Sequence, residues 1–90
     1  MAGLVNPFKI RTLLTSSNDL NSIGDGVYWY VNTDNPKNNP GDAYNSIVIQ
    51  FSNSARGDKI QFVHSANSGK LYFRNYAVSV WSSWKVISMS

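Results

Sequence analysis

The densest chemical grouping in the 90-residue sequence lies toward its C-terminus, where Tyr72, Arg74 and Tyr76 alternate and Trp81 and Trp84 follow. Alternation on an extended chain puts Tyr72, Arg74 and Tyr76 on one face. Aromatic rings stack on the apolar faces of pyranose sugars, while guanidinium and amide groups hydrogen-bond the hydroxyls. Tyr28, Tyr30 and Tyr44 add further rings. The candidate glycan-binding set is therefore Tyr28, Tyr30, Tyr44, Tyr72, Arg74, Tyr76 and Trp81. Arg74 also has a structural use, as a cation stacked on the Tyr72 and Tyr76 rings. Trp29 and Trp84 read as core. Trp81 and Trp84 are three positions apart, which on a strand turns one inward and leaves the other for solvent, a partner or a ligand.

Other chemistries find little material. Cysteine and glutamate are absent and His64 is the single histidine, so one chain cannot assemble a zinc site or a disulfide. Three copies of His64 at a trimer axis would be the one route to a metal; the plain alternative is a histidine at a strand end. No serine sits in a nucleophile-elbow motif. Asp19, Asp25, Asp34, Asp42 and Asp58 all lie in turn contexts, where a carboxylate caps backbone N–H groups. No catalytic residue, metal or cofactor is expected, and the chain does not read as an enzyme. Arg56-Gly57-Asp58 matches an adhesion tripeptide but reads as a turn. The net charge of +3 comes from scattered residues, which suits a solvated surface or an acidic or phosphate-bearing glycan. A small β-barrel that stacks single-stranded nucleic acid is the rival binding mode. Against it, the basic residues do not cluster and no RNA-reader signature is present.

These side chains need strands to hold them. Ser and Asn are abundant and good helix formers scarce, which predicts an all-β domain rich in turns. Val27-Tyr28-Trp29-Tyr30-Val31 is the clearest strand; Val27, Trp29 and Val31 are expected inward, with Tyr28 and Tyr30 half exposed on the other face. Ser46-Ile47-Val48-Ile49-Gln50-Phe51 follows, with Ile47, Ile49 and Phe51 expected inward. Lys59-Ile60-Gln61-Phe62-Val63-His64 comes next, with Ile60 and Phe62 sharing a face. Residues 65–69 form a hairpin turn into Lys70-Leu71-Tyr72-Phe73-Arg74, and the Trp81 segment closes the chain. Phe8, Ile10 and Thr12 allow a sixth strand or an extended linker, and residues 19–23 predict a single helical turn. The fold expected is a small antiparallel meander forming a β-sandwich or open barrel, with residues 1–17 as a leader or linker and 18–90 as the domain. Residues 32–42 are nearly all turn formers, a long loop of the kind that often carries function. No apolar run is long enough to cross a membrane, so no membrane insertion is expected, and synthesis in a cytoplasm fits the N-terminus.

The order of features resembles the pyocin knob family of phage tail fibres, tailspikes and tail-like bacteriocins. It runs Asp19-Leu20-Asn21, Gly26-Val27-Tyr28, a Pro-containing loop ending at Asn39-Pro40, and Ile47-Val48-Ile49-Gln50. Ile60-Gln61, Gly69-Lys70-Leu71-Tyr72-Phe73-Arg74 and Trp81-Ser82-Ser83-Trp84-Lys85 complete it, so the resemblance covers about residues 18–87. It implies a β-rich knob in a homotrimeric fibre of a virion or tail-like particle made in a bacterial cytoplasm. The implied role is recognition of a bacterial surface polysaccharide or lipopolysaccharide, or a purely structural knob or trimerisation module. Residues 76–80 depart from the pattern, which has a more polar, Gly-bearing turn before the first tryptophan.

Overall fold

The computed structural model describes residues 9–31, 33–41 and 45–87. Among the described residues seven strands form one sheet: β1 (Lys9–Leu13), β2 (Gly26–Tyr30), β3 (Ser46–Asn53), β4 (Asp58–Ser65), β5 (Leu71–Ala77), β6 (Val80–Trp81) and β7 (Lys85–Ile87). Strands β2 to β6 are an antiparallel meander in chain order, and β7 returns to pair with β5 beside β6. The all-β meander expected from composition is the fold, and the sheet is not closed into a barrel. Residues 9–14, within the stretch expected to lead into the domain, supply β1 and the buried Leu14.

β1 runs parallel to β2, so the chain between them has to travel back over the sheet. That connection and the loop after β2 make the second layer. They are stitched together by Leu20 N–H to the Lys37 carbonyl (3.0 Å) and Lys37 N–H to the Asn18 carbonyl (2.8 Å). The helical turn expected at 19–23 is a β-turn instead. Ser22 N–H reaches the Asp19 carbonyl at 2.9 Å, and the Asp19 carboxylate takes Asn21 N–H at 2.8 Å. An aspartate that captures the backbone two residues on favours a turn over a helix.

The core lies between the sheet and these loops: Leu14, Leu20, Tyr28, Tyr30, Val48, Val63 and Tyr72, with Ile23 and Trp84 against it. This reverses the face expected for two strands. Tyr28 and Tyr30 are buried, whereas Trp29 is 40% exposed and Val31 also faces out. On β3, Ser46, Val48 and Gln50 point inward while Ile47 is 50% exposed and Phe51 is similar. On β4 the inward residues are Gln61, Val63 and Ser65, with Ile60 and Phe62 on the outer face. The register explains the consistency, since Tyr28, Val48, Val63 and Tyr72 are direct cross-strand neighbours. Fixing one inward fixes all four.

The β3–β4 hairpin turns through Arg56-Gly57-Asp58, with Gly57 at φ 83° and Arg56 paired to Asp58 at 3.0 Å. The tripeptide is thus a turn, as expected. The 65–69 turn is present with Gly69 at φ 74°. Between β5 and β6 the chain reverses through Val78 and Ser79 alone, at φ 53° and 63°. Two consecutive left-handed residues make the tight hairpin that Asn-Gly usually builds.

Candidate functional site

A buried polar row crosses the middle of the inner face. Gln50 pairs with Gln61, and Gln61 with Arg74, in the strand register. Arginine can only donate, so Arg74 Nε–H binds Gln61 Oε1 (2.8 Å) and leaves the Gln61 amide nitrogen facing the other way. Gln61 Nε2 then donates to Gln50 Oε1 (2.8 Å) and to the Leu20 carbonyl (2.6 Å). Gln50 Nε2 donates to the Ile23 carbonyl (3.0 Å) and to Asp25 Oδ1 (3.2 Å). The row runs head to tail from a cation to a carboxylate, with both amide N–H groups of each glutamine used. It pins the loop layer to the sheet and sets the position of Arg74.

Arg74 is 4% exposed and lies between two indoles, its guanidinium carbon 4.0 Å from the Trp81 ring centre and 4.6 Å from that of Trp84. The Tyr76 ring sits 5.2 Å from Trp81, and Lys59 Nζ lies 5.1 Å over Tyr76. A continuous line of contacts therefore runs from Lys59 through the Tyr76 and Trp81 rings to Arg74 and Trp84. This corrects the stacking expected for Arg74, whose partners are tryptophans rather than Tyr72 and Tyr76. It also corrects the expected separation of Trp81 and Trp84 onto opposite faces. Just past Trp81, Ser82 N–H binds the Asn75 carbonyl (2.7 Å) and Ser82 Oγ accepts Asn75 N–H (3.0 Å), so a hydroxyl stands where the ladder would use a backbone carbonyl. That bracket ends β6 and lets the next residues swing over Arg74. Trp84 Nε1–H then anchors on the Asn38 carbonyl at 2.9 Å.

Beside the stack is an open cleft of about 470 Å³, lined by Asn21, Asn38, Asn39, Arg74, Trp81, Ser82, Ser83 and Trp84. Asp19 stands near it and accepts the Asn38 side-chain amide (2.7 Å) and Asn21 N–H. Those two hydrogen bonds hold its pKa below the ordinary 3.8, with smaller help from Lys37 and Arg74. Burial disfavours the charge of Arg74 and pushes it down to about 10, with Asp19 opposing the shift, so it stays cationic at neutral pH. Arg74 makes no salt bridge among the described residues, and its buried Nη2 has no hydrogen-bond partner.

Of the seven expected glycan residues, Arg74 and Trp81 line the cleft, and Tyr76 supports Trp81 from behind. Tyr28, Tyr30 and Tyr72 are core residues rather than surface platforms; the Tyr28 hydroxyl is spent on the Gly24 carbonyl at 2.9 Å. Tyr44 lies outside the described residues. Sequence reasoning missed Trp84 as a cleft wall, together with Asn21, Asn38 and Asn39. The long Asn-rich loop was the available signal for the last two. His64 is exposed on the opposite face, and no three metal-ligating side chains cluster among the described residues. No family model, curated protein or solved structure matches the chain.

Proposed function

We propose that this chain is a non-enzymatic recognition domain of a phage tail fibre or tail-like particle, which binds a bacterial surface polysaccharide or lipopolysaccharide in the Trp81–Trp84 cleft. The observation that carries the reading is the composition of that cleft. Two indoles supply apolar surface, and three asparagines and two serines supply donors and acceptors around them. This is the mixture that a sugar, apolar on its ring faces and polar at its rim, requires. The phage context and extracellular, virion-borne location come from the motif order resembling pyocin knobs.

Binding of the labelled domain to an array of bacterial glycans tests the reading. A subset of glycans should bind the parent chain and lose signal in Trp81→Ala. Signal that is unchanged in that variant would move recognition away from the cleft.

A second reading, a structural or trimerisation module, is favoured by the outer sheet face. Leu13, Trp29, Ile47, Phe51 and Ile87 are exposed there, and Val27, Ile49, Phe62, Leu71 and Phe73 are half-buried beside them. Extended apolar surface of this kind usually meets a partner. Association of copies through it, as the homotrimer of the resembled fibres, is compatible with glycan binding because the cleft lies on the inner face.

A further inference from the structure

We propose that the cleft selects acidic glycans, and that Arg74 is the group that receives the ligand's oxyanion; the inference rests on the glycan reading above. An arginine buried to this extent is normally paired with a carboxylate or fully hydrogen-bonded. Arg74 has neither. One of its N–H groups binds Gln61, but Nη2 has no partner, and among the described residues the one salt bridge joins Arg56 and Asp58 on the far hairpin. Asp19, the carboxylate whose charge acts on Arg74, is committed to Asn38 and Asn21. Two indole rings centred within 4.6 Å of the guanidinium carbon offset part of its lost hydration. The rings do not replace the hydrogen-bond acceptor that the buried Nη2 lacks.

The surroundings define what arrives. Asn21, Asn38, Asn39, Ser82 and Ser83 rim the cleft and are neutral, so among the described residues the guanidinium is the single cationic group lining it. A neutral sugar's hydroxyl would supply an acceptor but no counter-charge to the buried cation. A sugar bearing a carboxylate or a phosphate would bring the missing acceptor and counter-charge together, in a charge-assisted hydrogen bond about twice as strong as a neutral one. The polar rim and indole walls then take the rest of the ring. The Gln50–Gln61–Arg74 row fixes the guanidinium at the cleft wall, and because Nη2 is itself buried an oxyanion meets it only with a local shift of that wall.

The experiment is a titration of the whole chain followed by NMR at the Arg74 Nε–H and the Trp81 and Trp84 indole N–H signals. The probes are a galacturonate oligosaccharide, its methyl ester, a sugar phosphate, the neutral galactose oligosaccharide and inorganic phosphate alone. Asn21→Trp, which fills the cleft from an exposed position, serves as a blocked control whose fold is checked by the remaining amide signals. The expected result is that at least one acidic sugar shifts all three signals, binding about tenfold or more tightly than its neutral counterpart, and that Asn21→Trp abolishes this. The carboxylate and phosphate probes separate the two sources of the oxyanion. Equal binding of ester, neutral sugar and acid would overturn the charge inference while leaving glycan binding intact. Equal binding of inorganic phosphate and the sugar phosphate, with no gain from the sugar, would support the anion site and count against the glycan reading. Silence from every acidic probe would overturn the inference outright.

Discussion

Gln61 carries more of this structure than its polarity advertises. It is fully buried, and its amide satisfies Arg74, Gln50 and the Leu20 carbonyl at once. Gln61→Met keeps the volume but removes the bonds to Arg74 Nε–H, Gln50 Oε1 and the Leu20 carbonyl. Each buried polar group so abandoned costs about 1–3 kcal/mol, so the variant should lose at least about 3 kcal/mol of unfolding free energy in urea. The Arg74 Nε–H signal should move with it. A change under about 0.5 kcal/mol, the size typical of surface substitutions, would mean that the row is not holding the layers together. Asp19 makes a different prediction. Its folded pKa is depressed, so its contribution is complete above the ordinary value of 3.8 and is lost as pH falls through the lower folded value. Asp19→Asn should therefore weaken the protein near neutrality and flatten the acid limb of its stability curve. If both proteins lose stability in parallel on acidification, another carboxylate governs that limb. The capping of a turn by Asp19 was legible beforehand, but the glutamine row was not, because Gln50 and Gln61 look like solvent-side residues of alternating strands. Only the cross-strand register brings them together with Arg74.

Strand positions could be read from the sequence, but strand faces could not. Val27-Tyr28-Trp29-Tyr30 and Ile47-Val48-Ile49 are apolar at every position, so period-two alternation gives no preference, and bulk misleads. The choice falls to tertiary partners: Tyr28, Val48, Val63 and Tyr72 form the row that Leu14 and Leu20 cover. Trp81 and Trp84 were misplaced for a related reason. Strand geometry does not carry through Ser82-Ser83, where Asn75 N–H donates to the Ser82 hydroxyl and the strand ends. The hairpin between β5 and β6 was the anomaly the sequence did expose, since Val78 and Ser79 replace the expected glycine-bearing turn. Both occupy the left-handed region, and Val78 is 90% exposed. A β-branched residue there is strained by roughly 1–2 kcal/mol, so Val78→Asn with Ser79→Gly should gain stability of that order. Differential scanning calorimetry would register it as a higher Tm. A lower Tm would show that this turn is not the left-handed pair described.

At the scale of the molecule, the two faces of the sheet have separate tasks. The inner face holds the core and the cleft, whereas the outer face presents Trp29, Ile47 and Phe51 to solvent. Sedimentation velocity should find concentration-dependent association of the isolated chain, abolished by Ile47→Lys with Phe51→Lys. A chain that stays monomeric at high concentration would place the trimer contacts of a fibre elsewhere. The claim on which the functional account stands is recognition of a bacterial surface by the Trp81–Trp84 cleft. Its most direct test is staining of a broad panel of bacterial cells with a fluorescent, artificially trimerised form of the domain, beside the same trimer carrying Asn21→Trp. Trimerisation lets individually weak sugar contacts add. The account predicts strain-selective staining that the blocked variant loses. Staining that persists with the cleft filled would contradict it.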